Sequence, residues 1–303
     1  MLKLKKNKGD TYLETKKERL DSDQLTKRLV ELFFKDFLDF FCPDLAKIVD
    51  FNSVDFPNKE LYSGIIEGEK TISDVLAKVN LLDGQEHYIL IHLEIQSSRD
   101  VDIPRRMFRY FCNIWMKHEK PVYAFALFID ESRWREPISN VFSREFMGTK
   151  LTYEYHLQKT KNYNYEEYLD YFNPIVTAFL IRMNYGKKSR ALVKAESMKR
   201  IKKYYNLTET QIETLLHFID RLLFLNEKET EEFKDIIKKE EYEEVEKMML
   251  TTLQEEILQE ERKKEKLDIA RNLLETGYPV ENIPRVTGLS LEEVKKLETE
   301  IKS

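Results

Sequence analysis

The sequence predicts an α/β protein: a central mixed sheet flanked by helices, followed by an α-helical C-terminal extension. Three observations predict it. Apolar residues recur every three or four positions over 25–40, the spacing of one buried helix face. Between 71 and 96 the period falls to two, the signature of strands. After a second helical stretch comes VYAFALFI (122–129), an apolar run of the kind found in strands covered on both faces.

The elements follow in order. Residues 1–22 are mainly polar and Lys-rich, and a flexible tail is expected there. Leu25, Leu29, Leu32, Phe33, Phe37 and Phe40 then form a helix face, and Pro43 stops the helix. A short polar link containing Pro57 leads to two strands, near 71–80 and 86–96. In the first, Ile72, Asp74, Leu76 and Lys78 share a side. In the second, Ile89, Ile91, Leu93 and Ile95 are apolar, opposite Tyr88, Leu90, His92, Glu94 and Gln96. The Asp83-Gly84 step between them is a strong hairpin signal.

Pro104 suits the first turn of the next helix, whose apolar face is Met107, Phe108, Phe111, Ile114 and Trp115. The buried strand follows Pro121. Residues 135–165 show no clear period. Asn173-Pro174 opens a buried helix, and QIETLLHFIDRLLFL (211–225) is a strongly amphipathic one. Residues 226–266 are dense in Glu and Lys, as in a solvated helix or a coiled-coil arm. In the last segment Gly277 and Gly288 punctuate short helices, and Ser290 with Glu293 has the spacing of a capping box. Helix-turn-helix is the expected form. The expected organisation is a tail (1–22), an α/β core (23–190), a helical extension (191–266) and a C-terminal helix-turn-helix-like module (267–303).

Composition narrows the function. The chain has 303 residues, with 50 Lys+Arg against 55 Asp+Glu, a net charge of −5 that argues against a nucleic-acid-coating role. Eight Gly and eight Pro exclude collagenous and low-complexity classes. No apolar run approaches the ~18–20 residues that span a bilayer, and no apolar stretch near the N-terminus resembles a secretory signal. Cys42 and Cys112 fit neither a disulfide framework nor a zinc site, so a reduced, cytoplasmic protein without membrane partners is expected. Walker, GxGxxG, GxSxG and HExxH motifs are absent, and the five histidines show no metal-ligand spacing.

The hairpin carries the chemistry. Asp74 and Glu94 are ionisable groups on strands flanked by apolar runs, and Gln96 falls on the same side as Glu94. Two carboxylates on adjacent strands can share a hard divalent cation, which polarises a phosphoryl oxygen and lowers the pKa of bound water. A half-exposed hairpin with polar residues outward explains the same pattern without chemistry. The two carboxylates share a face only with an odd offset: a three- or five-residue loop, or a bulge. A two-residue Asp83-Gly84 turn would set Asp74 against Leu93 and separate them. A three-residue loop over 83–85 would set Asp74 against Glu94, Val75 against Leu93 and Ile72 against Gln96.

The stretch from SDVLAKV through HYILIHLEIQSSRDVDIPRRMFRYFCNIWMKHEKPVYAFALFI resembles the bacterial recombination-promoting nuclease/putative transposase (Rpn-like) family of the PD-(D/E)XK nuclease superfamily. The likeness rests on Asp74, on Glu94-Ile95-Gln96, on Arg106-Met107-Phe108-Arg109-Tyr110 and on Pro121-Val122-Tyr123. FFKDFLDFFCPDLAKIVDF, NPIVTAFLIRM and IARNLLETGYPVENIPRVTGLSLEEVKKL extend it from about residue 23 to 300. The resemblance implies a restriction-endonuclease-like core and Mg²⁺- or Mn²⁺-dependent cleavage of DNA phosphodiesters in a mobile-DNA setting. Asp74 and Glu94 would hold the metal, and Gln96, where the superfamily's usual residue is Lys, would orient water or phosphate. Arg106, Arg109 and Tyr110 would bind phosphate or support the acidic site, and Glu31 is the candidate for an additional acid on the first helix. The alternative is a nuclease-fold protein without turnover that binds DNA or protein. For the C-terminal helices, with balanced charge, the readings are DNA contact, protein–protein contact or self-association into a homo-oligomer.

Overall fold

In the computed structural model the described residues are 16–57, 75–94, 102–131, 138–204, 206–276 and 278–302, with the side chains of 16–23, 93–94, 250–263 and 300–302 left out of account. The chain divides into two compact units, Met1–Ile237 and Lys238–Ser303.

The first unit opens with α1 (Lys16–Leu32), so helix begins within the segment expected to be a tail. A break at Phe33 leads to α2 (Phe34–Phe41), and Cys42 separates it from the short α3 (Pro43–Ala46), where Pro43 takes an early-turn position that needs no N–H. The supposed polar link then forms β1 (Val49–Asp55). β2 (Val75–Leu81) and β3 (Glu86–Glu94) are the expected hairpin strands. They are followed by α4 (Ile103–His118) and β4 (Val122–Phe128). The segment without a clear period supplies β5 (Val141–Phe146), β6 (Thr149–Glu154) and β7 (His156–Lys159).

Among the described residues the main sheet runs β1-β2-β3-β4-β7. β1–β2 and β2–β3 pair antiparallel; β3–β4 and β4–β7 pair parallel. The sheet is therefore mixed, and α4 is the crossover that a parallel β3–β4 neighbourhood requires. Alternation along the strands sends two sets of side chains to two helical layers. Leu76, Tyr88, Leu90, Ala124, Ala126 and Phe128 pack with Ile103, Met107, Tyr110 and Ile114 of α4. From the opposite set, Phe125 meets Phe37 and Phe41 of α2, with ring centroids 5.8 and 6.0 Å apart.

β5 and β6 form a separate antiparallel hairpin closed by Met147 and Gly148, both with positive φ (45° and 86°), the two-residue turn whose twist matches its strands. Its Phe142 and Tyr153 cover Phe108 of α4, at 4.9 and 5.5 Å.

α5 (Pro174–Phe179) is capped by the Asn173 side chain, which accepts from Val176 N at 3.1 Å. α6 (Arg190–Ile201), α7 (Glu209–Leu222) and α8 (Glu227–Ile237) complete the unit. Phe179 of α5 meets Phe218 of α7 at 5.3 Å, and Val193, Ala195, Met198, Leu215 and Ile219 are fully buried. Residues 191–237 are thus built into the first unit; the spacing of charges over 226–237 conceals Phe233, Ile236 and Ile237, which are buried.

In the second unit α9 (Glu243–Glu275) runs unbroken through 266/267, where a module boundary was expected. Its last turns form a small core with α10 (Ile283–Thr287) and α11 (Leu291–Lys302), built from Ala270, Ile283, Leu289, Val294 and Leu297. Gly288 ends α10 at φ 70°. The capping box forms as its spacing predicts: Glu293 N donates to Ser290 Oγ (3.2 Å) and Ser290 N to a Glu293 carboxylate oxygen (2.9 Å). Gly277 lies outside the described residues.

Candidate active site

The β2–β3 register decides which side chains can meet. Val75 pairs with Ile91, Leu76 with Leu90 and Asn80 with Glu86. The expected pairing of Val75 with Leu93 is corrected by two residues on β3. The loop is three residues long, as the shared-face argument needs, but it spans 82–84 and not 83–85. Leu81 N donates to Gln85 O and Gly84 N to Leu81 O, both at 2.8 Å. The reason is the one left-handed position that such a loop demands: Gly84 occupies it at φ 84°, where a side chain is strained, while the Asp83 carboxylate accepts from Gln85 N at 2.9 Å. A loop one residue later would have put Gln85 there.

Asp74 and Gln96 lie outside the described residues. Glu94 closes β3 and is placed by its backbone, paired with Phe128 of β4. Among the described residues no group of three His, Cys, Asp or Glu could hold a metal ion. The donors expected from the sequence are carboxylates, hard oxygen ligands suited in kind to Mg²⁺ or Mn²⁺.

What the described residues bring together lies two positions before Glu94. His92 is 1% exposed, on the side of β3 that faces α4. Arg106, in the first turns of α4, reaches it, its guanidinium donating to His92 Nε2 at 2.9 Å. Because a guanidinium has no acceptor, Nε2 must be the unprotonated nitrogen. Tyr110, one turn further along α4, is buried with its ring 6.5 Å from the imidazole. Tyr155 lies within electrostatic reach of Arg106, but burial dominates and drives its phenol well above the usual range; its hydroxyl donates to Ser139 O at 2.9 Å. Arg109 is half-buried and makes no hydrogen bond or ion pair with a described residue. Glu31 pairs with Lys27 on its own helix at 3.2 Å.

His118, His156 and the two cysteines have structural surroundings. His118 stacks on Tyr88 and contacts its hydroxyl at 3.0 Å, and His156 stacks on Tyr123. Burial pushes the Cys42 thiol up to about 12 and the Cys112 thiol upward too, the opposite of what a nucleophile needs. Sequence reasoning missed His92, which reads as one more polar residue in the alternation; its spacing of two from Glu94 was the available signal.

Two family models match the chain. "Putative transposase, YhgA-like" covers residues 23–129, from α1 through the hairpin and α4 to the end of β4. "Rpn/YhgA-like nuclease family, C-terminal HTH domain" covers residues 263–299, the end of α9 with α10 and α11. Both matches point to the Rpn/YhgA-like family. The mixed sheet flanked by helices fits the nuclease-like core that the family name carries. No curated protein and no solved structure matches the chain. Among the described residues no helix is long and apolar enough to cross a membrane.

Proposed function

We propose that this Rpn/YhgA-like protein is a Mg²⁺- or Mn²⁺-dependent DNA endonuclease of PD-(D/E)XK type, with Asp74 and Glu94 as metal ligands and Gln96 orienting water or phosphate. The register of β2 and β3 supports this reading most directly. Over the described ladder, Val75 pairs with Ile91 and Leu76 with Leu90, the even register that a three-residue loop gives. An even register is the condition for carboxylates at even positions of the two strands to share a face. The metal would polarise the phosphodiester and acidify its bound water. Gln96 is neutral and cannot serve as a base, so the proton of the attacking water would pass to bulk solvent, with a bound metal supplying the lowered pKa.

The test is supercoiled plasmid incubated with purified protein in Mg²⁺, Mn²⁺ or EDTA. Nicked or linear product with metal and none with EDTA is expected, and Asp74→Asn or Glu94→Gln abolishes it while far-UV circular dichroism is unchanged. Equal cleavage by both variants overturns the assignment. Gln96 favours a second reading, a DNA-binding protein without turnover, which predicts retardation of DNA in a gel with no cleavage under any metal.

A further inference from the structure

We infer that Arg106 and Arg109, three residues apart on α4, have different tasks: Arg106 with His92 forms a positioning pair for the end of β3, and Arg109 alone contacts the DNA phosphate backbone. The inference rests on the nuclease reading for the first task only. At roughly 100° per residue, Arg106 and Arg109 lie about 60° apart on one flank of the helix. Arg106 is the nearer to the buried stripe of Ile103, Met107, Tyr110 and Ile114, and it is drawn inward onto His92. His92 is itself buried and tied into the sheet by its pairing with Ala126, so it is a fixed acceptor. The bond joins α4 to β3 two residues before Glu94. A guanidinium turned into the protein to meet an imidazole is badly placed for a phosphate outside it. Arg109 lies further round the helix from that stripe, makes no hydrogen bond or ion pair with a described residue, and has the fork geometry that suits a phosphate.

Two measurements separate the tasks. The first is duplex-DNA affinity in Ca²⁺ as a function of salt. The second is the single-turnover cleavage rate at saturating protein in Mg²⁺. Arg109→Gln is expected to weaken binding and to reduce the log–log salt slope by about one, the loss of one phosphate contact, with the saturated rate changed less than threefold. Arg106→Gln and His92→Ala are expected to leave affinity and slope at wild-type values, which also shows that they are folded, and to lower the saturated rate by tenfold or more. The losses in the double variant should be less than additive, because both substitutions remove the bond the two residues share. His92→Gln, which offers an acceptor oxygen, should recover much of the rate. A slope reduced by Arg106→Gln, an unchanged slope in Arg109→Gln, or a wild-type rate in His92→Ala overturns the proposal. If the wild-type protein binds DNA but never cleaves, the nuclease reading falls, and the salt slopes of the two arginine variants still decide the division between them. Absence of DNA binding overturns both.

Discussion

Lys159 and Asp130 form an ion pair with each side chain only 2% exposed, where parallel strands β7 and β4 end. Phe128 of β4 pairs with Lys159 on one side and with Glu94 on the other, so the pair sits at the same level of the sheet as the candidate site. Burial depresses the lysine's pKa, and the Asp130 carboxylate works against that by holding the proton. Each charge stabilises the other in a site that water hardly reaches.

Removing one partner should therefore cost more than removing both. Lys159→Met takes away the cation that the buried Asp130 carboxylate contacts and should destabilise the protein by about 3–5 kcal/mol, whereas Asp130→Leu with Lys159→Met should recover part of that. Urea unfolding of the single and double variants checks it. A double variant as unstable as the sum of the singles would show that the pair is not the interacting unit.

Metal binding should be visible in stability. At ten times its dissociation constant, Mg²⁺ should stabilise the wild-type protein by about 1.4 kcal/mol, from mass action alone. Differential scanning fluorimetry should show no such increment in Asp74→Asn or Glu94→Gln. An undiminished increment in both would place the metal elsewhere.

The β5–β6 turn carries a cost that can be removed. Met147 holds φ 45°, a conformation that favours Asn or Gly. Met147→Asn should stabilise the hairpin by about 1 kcal/mol, and Gly148→Ala, at φ 86°, should destabilise it by a similar amount. Met147 is 89% exposed, so no packing is lost. Thermal unfolding of both variants would show the opposite signs.

Thiol labelling should separate the cysteines. The raised pKa of Cys42, about 12, leaves roughly one thiol in ten thousand ionised at pH 8, and the residue is 4% exposed. The thiolate fraction rises with pH, so iodoacetamide should spare Cys42 at pH 8 and reach it only on unfolding. Cys112, less enclosed, should label first. Peptide mass spectrometry gives the order.

Much of this molecule is local and so was written in the sequence. The hydrophobic period of 25–40, the alternation of 75–94, Pro104 and Pro174 in first turns, and the Ser290–Glu293 box all act over a few residues, where propensity and pattern dominate. The motif residues Asp74, Glu94-Ile95-Gln96 and Arg106–Tyr110, in that order along the chain, were enough to indicate the family. The tertiary structure alone decided the rest. One residue's φ at Gly84 moved the whole β3 ladder by two positions, because a hairpin register propagates from its loop. The 135–165 segment formed strands only against partners distant in the chain: β7 against β4, and the β5–β6 hairpin over α4. His92 took Arg106 from 14 residues away, and Asp130 took Lys159 from 29. Such pairs have no periodicity to read. They are selected by burial, which leaves a charge or an imidazole stable only where the fold has already brought its partner.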